Sequence, residues 1–233
     1  MLKAVKARLK DVSTRVANFV LDGDAHDIQR SRQRRALEES VDFVETEMPM
    51  VTPFPSQFDL LDATLKAVKV EGLYCEFGVH TGGSINFTAE RIAPRPIYGF
   101  DSFEGLPEDW RPDVKAGHFS LAGLPSVRDN VRLIKGWFNE ALPPFLSEHK
   151  EPAAWLHIDS DLYSSARTVL ELFAPRIRPG TVIVFDEYFN YPGWKNGEHK
   201  AFQEFVSQHE VRFEYLGFAS TDEQVAVVVR QIG

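Results

Sequence analysis

Two carboxylates stand one residue apart in "WLHIDSDLYSS" (Trp155 to Ser165), where Asp159 and Asp161 close an apolar run. Residues two apart in an extended strand face the same way, so both acids can leave one edge of a sheet together. A later run, "VIVFDEY", ends in Asp186 and Glu187. Four carboxylates around one crevice repel one another and take raised pKa values unless a cation sits among them. Hard oxygen donors select Mg2+, Mn2+ or Ca2+ over zinc. Such an ion lowers the pKa of an alcohol or sugar hydroxyl and fixes its direction. With Asp159, Asp186 and Glu187 on the ion, Asp161 is left to accept the hydroxyl proton as general base. Separate helix caps and surface acids are the plain alternative for the same four residues.

A second constellation precedes these acids. "YCEFGVHTGGSINFTAER" reads as strand, glycine turn and helix: Gly78 ends the strand, Val79 enters the turn, Gly82 and Gly83 permit close backbone approach, and Ser84 opens the helix. The spacing is not G-x-G-x-x-G, and Glu76 before the glycines would repel a pyrophosphate. A cationic ligand suits it better, and S-adenosylmethionine carries both a sulfonium and an ammonium. "GFDSFEGLP" then places Asp101 at a strand tip, where a carboxylate accepts both hydroxyls of a ribose, with Ser102 and Phe103 beside it. In isolation such an Asp is more often a helix cap, but after Glu76 and the glycines the ribose reading is favoured. In "KGWF", Gly136 lets the backbone close on an adenine, while Trp137 is equally suited to the pocket or the core. Asp159 borders the same cofactor edge.

These residues need a sheet to gather them. Seven strands are expected: "LYCEFGV", "PIYGFDSF", "VRLIKGW", "AWLHIDSD", "TVIVFDEY", "RFEYLGF" and "QVAVVVR", with helices between most pairs. Only "ASTDE" joins the sixth to the seventh, too short for a parallel crossover, so these two pair antiparallel. The expected fold is α/β: a doubly wound, seven-stranded, Rossmann-like methyltransferase sheet of order 3-2-1-4-5-7-6 with strand 7 antiparallel, plus N-terminal helices. Upstream, Leu2, Val5, Leu9, Val12, Val16 and Phe19 recur at helical spacing, and a second helix runs from about Asp27 through "RSRQRRALEESVDFVETE". "MPMVTPFPS" reads as a loop and "QFDLLDATLKAVKVEG" as a helix stopped by Gly72. Residues 1–55 are expected to be a helical lid or oligomerisation segment, and 56–233 the catalytic domain.

Bulk properties bound the partners. The 233 residues carry a formal net charge of −8, which disfavours nucleic acid. The single cysteine, Cys75, excludes an intrachain disulfide, reads as a small buried residue and favours a cytoplasmic setting. Charges interrupt the first twenty-odd residues too often for a signal peptide, and no membrane span is expected. The amphipathic N-terminal helices suggest a homo-oligomer. "EYFNYPGWKNGEHK" offers Tyr188, Phe189, Tyr191 and Trp194 for stacking on a pyranose ring or for the core. His80 and His199 are candidates for orienting an acceptor or serving as base, or are plain hydrogen-bonded histidines.

"EFGVHTGGS", "FDSFEGLP", "KGWF", "HIDSDLYSS" and "FDEY", in this order, resemble the macrocin O-methyltransferase family over roughly Met50 to the C-terminus. The resemblance implies a metal-dependent class I S-adenosylmethionine fold that methylates sugar hydroxyls of natural products. By motif match it implies metal ligands at Asp159, Asp186 and Glu187 and a base at Asp161. It also makes Met50 and Thr52 lid contacts over the cofactor. Family members commonly have Asp-Asp where this chain has Asp186-Glu187, which puts the third ligand in question. Catechol-type O-methyltransferases, metal-dependent glycosyltransferases and a non-catalytic cofactor-binding module are the rival readings.

Overall fold

The computed structural model describes residues 26–233, so the helix expected over the first twenty residues lies outside the described residues. Helix α1 (Ile28–Glu47) follows Asp27, whose side chain accepts from the Arg30 amide at 3.0 Å and caps it. Then come β1 (Pro53–Phe54), α2 (Gln57–Ala67), β2 (Leu73–Phe77), α3 (Gly83–Ile92), β3 (Ile97–Asp101) and β4 (Val131–Lys135). The second half is α4 (Phe138–Glu148), β5 (Ala153–Ile158), α5 (Tyr163–Phe173), β6 (Val182–Phe185), α6 (Glu198–Gln208), β7 (Arg212–Ala219) and β8 (Val225–Gln231).

One sheet holds all eight strands in the order β1-β7-β8-β6-β5-β2-β3-β4. Without β1, the other seven stand in the expected order 3-2-1-4-5-7-6, and β8 runs antiparallel to both β6 and β7. The segment read as a loop contributes the eighth strand: Pro53 and Phe54 pair in parallel with Phe218 and Ala219. A two-residue strand carries no alternation to detect, and proline at the edge of a sheet loses no ladder bond. Residues 53–54, placed with the N-terminal segment on sequence, thus hydrogen-bond to the main sheet.

Strands β2, β5 and β6 are buried along their whole length, as central parallel strands covered on both faces must be. On one face α2 and α3 bring Leu60, Leu61, Ile85 and Ala89 against Tyr74, Trp155, Val182 and Val184. On the other, α4, α5 and α6 bring Leu142, Phe145, Leu170, Phe173, Phe202 and Phe205 against Cys75, Phe77, Leu156 and Phe185. Helix α1 and its C-cap residue add Ala36 and Met48 to this second cluster. Helix α2 stops at Ala67, five residues before Gly72, because Val68 already takes extended angles (φ −62°, ψ 126°). Gly72 serves the sheet instead: a Cβ there would stand 2.0 Å from the Pro152 carbonyl oxygen. Among the described residues no helix is long and apolar enough to cross a membrane.

Candidate active site

The carboxyl ends of β2, β3, β4 and β5 open onto a cavity of about 720 Å3. Its wall includes Gly78, His80, Asp101, Ser102, Gly136, Trp137, Asp159, Asp161 and Glu187. Gly78 is demanded by sterics: its φ is +96°, and a Cβ would lie 1.7 Å from the Asp159 carbonyl oxygen. The turn after it is tied to β3, since Asp101 Oδ2 accepts from the amides of Val79 and His80, both at 2.8 Å. Asp101 Oδ1 accepts from the Phe103 amide at 2.6 Å. Three of the roughly four acceptor positions of this carboxylate are therefore in use, fewer being open than two ribose hydroxyls require. Gly82 takes a left-handed conformation and precedes α3, which begins at Gly83 and not at Ser84. The Gly136 amide donates to the Asp101 carbonyl at 3.0 Å, and half-buried Trp137 faces the cavity rather than the core.

Asp159, Asp161 and Glu187 line this cavity, while Asp186 does not, although its ligand oxygen lies within 4.8 Å of that of Asp159. Neither Asp159 nor Asp161 caps the following helix, whose N-cap is Leu162 without a side-chain hydrogen bond. Asp161 has a φ of +61°, a left-handed conformation that Asp tolerates better than most residues and that marks sites under functional constraint. Burial, followed by the charge of Asp186, lifts the Asp159 pKa well above the carboxylate range, against the opposing pull of His157. Burial raises Asp161 to about 7, with nearby Arg111 opposing and Asp186, Glu223 and Asp101 adding to the rise. Glu187 is also pushed well up, by burial first and then by Asp186 and Glu198. Its Oε2 is buried with no hydrogen-bond partner. A buried acceptor left unpaired is costly, and a cation is the group that would relieve it.

Two buried residues that the motif reading passed over support this cluster. His157, fully buried, reaches Glu76 Oε2 with Nδ1 at 3.0 Å and Asp186 Oδ1 with Nε2 at 3.2 Å. Burial lowers its pKa, but the hydrogen bonds to Asp186 and Glu76 outweigh that and raise it well above the ordinary value. Period-two alternation already puts His157 on the face of Asp159, so the signal was present in the sequence. Glu198, also fully buried, accepts from the Ser160 amide and hydroxyl, each at 3.3 Å, and from the Glu187 amide at 3.0 Å. Burial raises its pKa to about 8 against those backbone hydrogen bonds. Asp186 is oriented by side-chain amides, Gln57 at 2.5 Å and Gln224 at 3.1 Å.

Not every expected residue reaches the cavity. Glu76 is sealed beneath it, its Oε1 accepting from Ser84 Oγ at 2.9 Å and its Oε2 facing His157, while burial raises its pKa. The ligand atoms of His157, Asp159 and Asp186 lie within 4.8 Å of one another, so the tight group around Asp159 and Asp186 contains His157 in place of Glu187. Thr52 sits at the β1–β7 edge, its carbonyl accepting from the Phe218 amide at 3.4 Å, and Met50 is exposed; neither lines the cavity. Tyr188, Phe189, Tyr191 and Trp194 are core residues rather than a sugar platform. Helix α1 covers them: Phe43 lies edge-on to Trp194 at 5.4 Å, and Gln33 and Ser40 bond the Asn190 backbone. His199 packs against Phe43, Tyr188 and Trp194, away from the cavity, and burial lowers its pKa to about 4. His80 is exposed at the cavity rim against Phe119.

Residues 75–188 match the family described as a methyltransferase domain. The 8-demethyl-8-(2,3-dimethoxy-alpha-L-rhamnosyl)-tetracenomycin-C 4'-O-methyltransferase of Streptomyces olivaceus is 31% identical over 150 residues, 54% of this chain and 56% of that protein. The mycinamicin III 3''-O-methyltransferase of Micromonospora griseorubida is 30% identical over 149 residues, 51% of this chain and 56% of that protein. The chain thus spans a little over half the length of the curated relatives it matches. A crystal structure of the calicheamicin methyltransferase CalS11 superposes with a TM-score of 0.59 over 87% of this chain and 93% of that one. At 21% identity this likeness is one of fold. Residues 75–188 thus match the methyltransferase-domain family, and the relatives found are O-methyltransferases by name.

Proposed function

We propose that the chain is an S-adenosylmethionine-dependent, divalent-metal-dependent O-methyltransferase that acts in the cytoplasm on a sugar hydroxyl of a glycoside, with Asp161 as general base. The observation that carries this reading is the unpaired, buried Glu187 Oε2 in the same cavity wall as Asp159 and Asp161. Support for the acceptor comes from the relatives, whose names specify O-methylation and in one case a rhamnosyl group.

In this reading Asp159, Asp186 and Glu187 hold Mg2+ or a similar hard cation. His157 is a weaker third ligand than Glu187, because both of its ring nitrogens are already engaged. When bound, the ion supplies Lewis acidity toward the acceptor hydroxyl. S-adenosylmethionine supplies the methyl group. Asp101 faces the ribose and must exchange one amide bond to accept both hydroxyls, while Gly136 and Trp137 border the adenine. Glu76 acts through Ser84 and His157 without touching the cofactor. Asp161 takes the hydroxyl proton, and its left-handed backbone holds the carboxylate in the cavity wall. A base whose pKa lies near neutrality is well matched to that task. Holding acceptor and sulfonium in line supplies much of the rest of the rate. Residues 1–55 are assigned a covering or subunit-pairing role outside the chemistry.

Calorimetry with S-adenosylhomocysteine, with and without Mg2+, followed by a labelled-methyl screen over glycosides and catechols, tests the reading. One binding event per chain and label transferred to glycosides is the expected result. Label on catechols alone would move the assignment to a phenolic acceptor, and no S-adenosylhomocysteine binding would remove the methyltransferase reading altogether.

A further inference from the structure

The ladder between β5 and β6 ends where the acids begin. Its last register pair is Ile158 with Phe185, and the last backbone bond between the two tips is the Asp186 amide to the Ile158 carbonyl at 2.9 Å. Beyond that point the turn carrying Asp159 to Asp161 and the turn carrying Asp186 and Glu187 share no backbone hydrogen bond among the described residues. Once these acids are ionised, as a dication requires, like charges on both turns push them apart. Glu198 spans the gap: one carboxylate oxygen takes the Ser160 amide and hydroxyl, the other takes the Glu187 amide. Ser160 lies between Asp159 and Asp161, and Glu187 follows Asp186.

We propose that Glu198 is a positioning residue for the metal site, a buried carboxylate clamp that fixes the two ligand-bearing turns at the separation a dication needs. This rests on the metal-dependent reading given above. A helix-capping role does not account for the residue, because Glu198 is the first residue of α6 and the N-cap, Gly197, has no side-chain cap bond. Its side chain turns away from its own helix to bond only the two acidic turns. When ionised, Glu198 presents two oxygens and no hydrogen to two backbone amides and one hydroxyl. Glutamine keeps one acceptor but turns an NH2 toward an N–H, and so must release one turn. When ionised, the clamp also adds negative potential behind the ligands without occupying a coordination position, as outer carboxylates commonly do in metal sites.

The test is Mn2+ binding to chelator-stripped protein, followed by electron paramagnetic resonance, alongside calorimetric S-adenosylhomocysteine affinity in the same samples. Wild type should bind Mn2+, and Glu198→Gln should weaken that binding at least tenfold while adenosylhomocysteine affinity stays within twofold. A merely structural loss would weaken both alike. If wild type binds Mn2+ and folded Glu198→Gln binds it within twofold of wild type, the clamp is wrong and the metal site stands. If wild type binds no Mn2+, both fall. A second measurement needs no variant: by hydrogen exchange, the Ser160 and Glu187 amides of the metal-free protein should be protected like those of the β5–β6 ladder. Free exchange at both amides would overturn the clamp.

Discussion

Asp161→Asn should lower the rate of methyl transfer by roughly 10^2–10^4-fold, the range over which a positioned general base contributes, while S-adenosylhomocysteine affinity changes less than twofold. Asparagine is the informative replacement because it keeps the size of the side chain and tolerates the left-handed backbone that Asp161 adopts at φ +61°. What it loses is the ability to take a proton. The edge assigned to the cofactor under the proposed function is built from other groups: Asp101 fastens the Val79–His80 turn, and Gly136 bonds the end of β3. Loss in kcat with cofactor binding intact therefore isolates the proton acceptor. Turnover of the variant within tenfold of wild type would transfer the base role elsewhere, with His80 at the cavity rim as the next candidate.

Metal-free protein should lose stability as the pH rises from about 4 to about 8, and Mg2+ should flatten that loss. The sign follows from the direction of the shifts. Asp159, Asp161, Glu187 and Glu198 all hold protons more tightly in the folded chain than an unfolded one does. Between the unfolded and folded pKa values the native state carries the extra protons, so raising the pH favours unfolding. The contribution is intact below pH 4 and is lost as the pH passes through the folded values, which for Asp161 is about 7 and for Glu198 about 8. For Asp161 alone the move from 3.8 to about 7 corresponds to a ceiling on the order of 4 kcal/mol. Thermal melts of chelator-treated protein at pH 5, 6.5 and 8, with and without Mg2+, read this directly. A melting temperature that rises across the interval without metal would mean that the acids are already neutralised by protein groups. In metal-free protein at pH 8, Asp161→Asn should melt higher than wild type, since it deletes one of the charges in question.

Much of this site could be read from the sequence because strand order and strand ends are local signals. Apolar runs ending in Gly78, Asp101, Gly136, Asp159 and Asp186 named five strand tips, and the short "ASTDE" link fixed the antiparallel pair β7–β8. These facts suffice to bring the cavity residues to one edge of the sheet. What the sequence hid depends on long-range packing. The aromatic residues 188–194 carry no mark that says which element will cover them, and it is Phe43 of α1, some 150 positions earlier, that turns them into core. Glu198 looks like an ordinary acid in the first turn of a helix, where negative charge is favoured anyway. Its side chain proves to face the turns of β5 and β6. Glu76 was expected at the cofactor and lies buried outside the cavity wall, its oxygens bonded to Ser84 and His157. Gly72 looked like a helix stop, yet its missing Cβ is needed for contact with Pro152.

The central claim concerns the acidic tips of two neighbouring strands and the dication they are built to grip. Methyl transfer from labelled S-adenosylmethionine to an accepted glycoside, measured on chelator-stripped protein before and after adding back Mg2+, tests it most directly. The account predicts near-zero turnover in the stripped protein and recovery that saturates with Mg2+. Undiminished turnover after stripping, with no response to added metal, would contradict it.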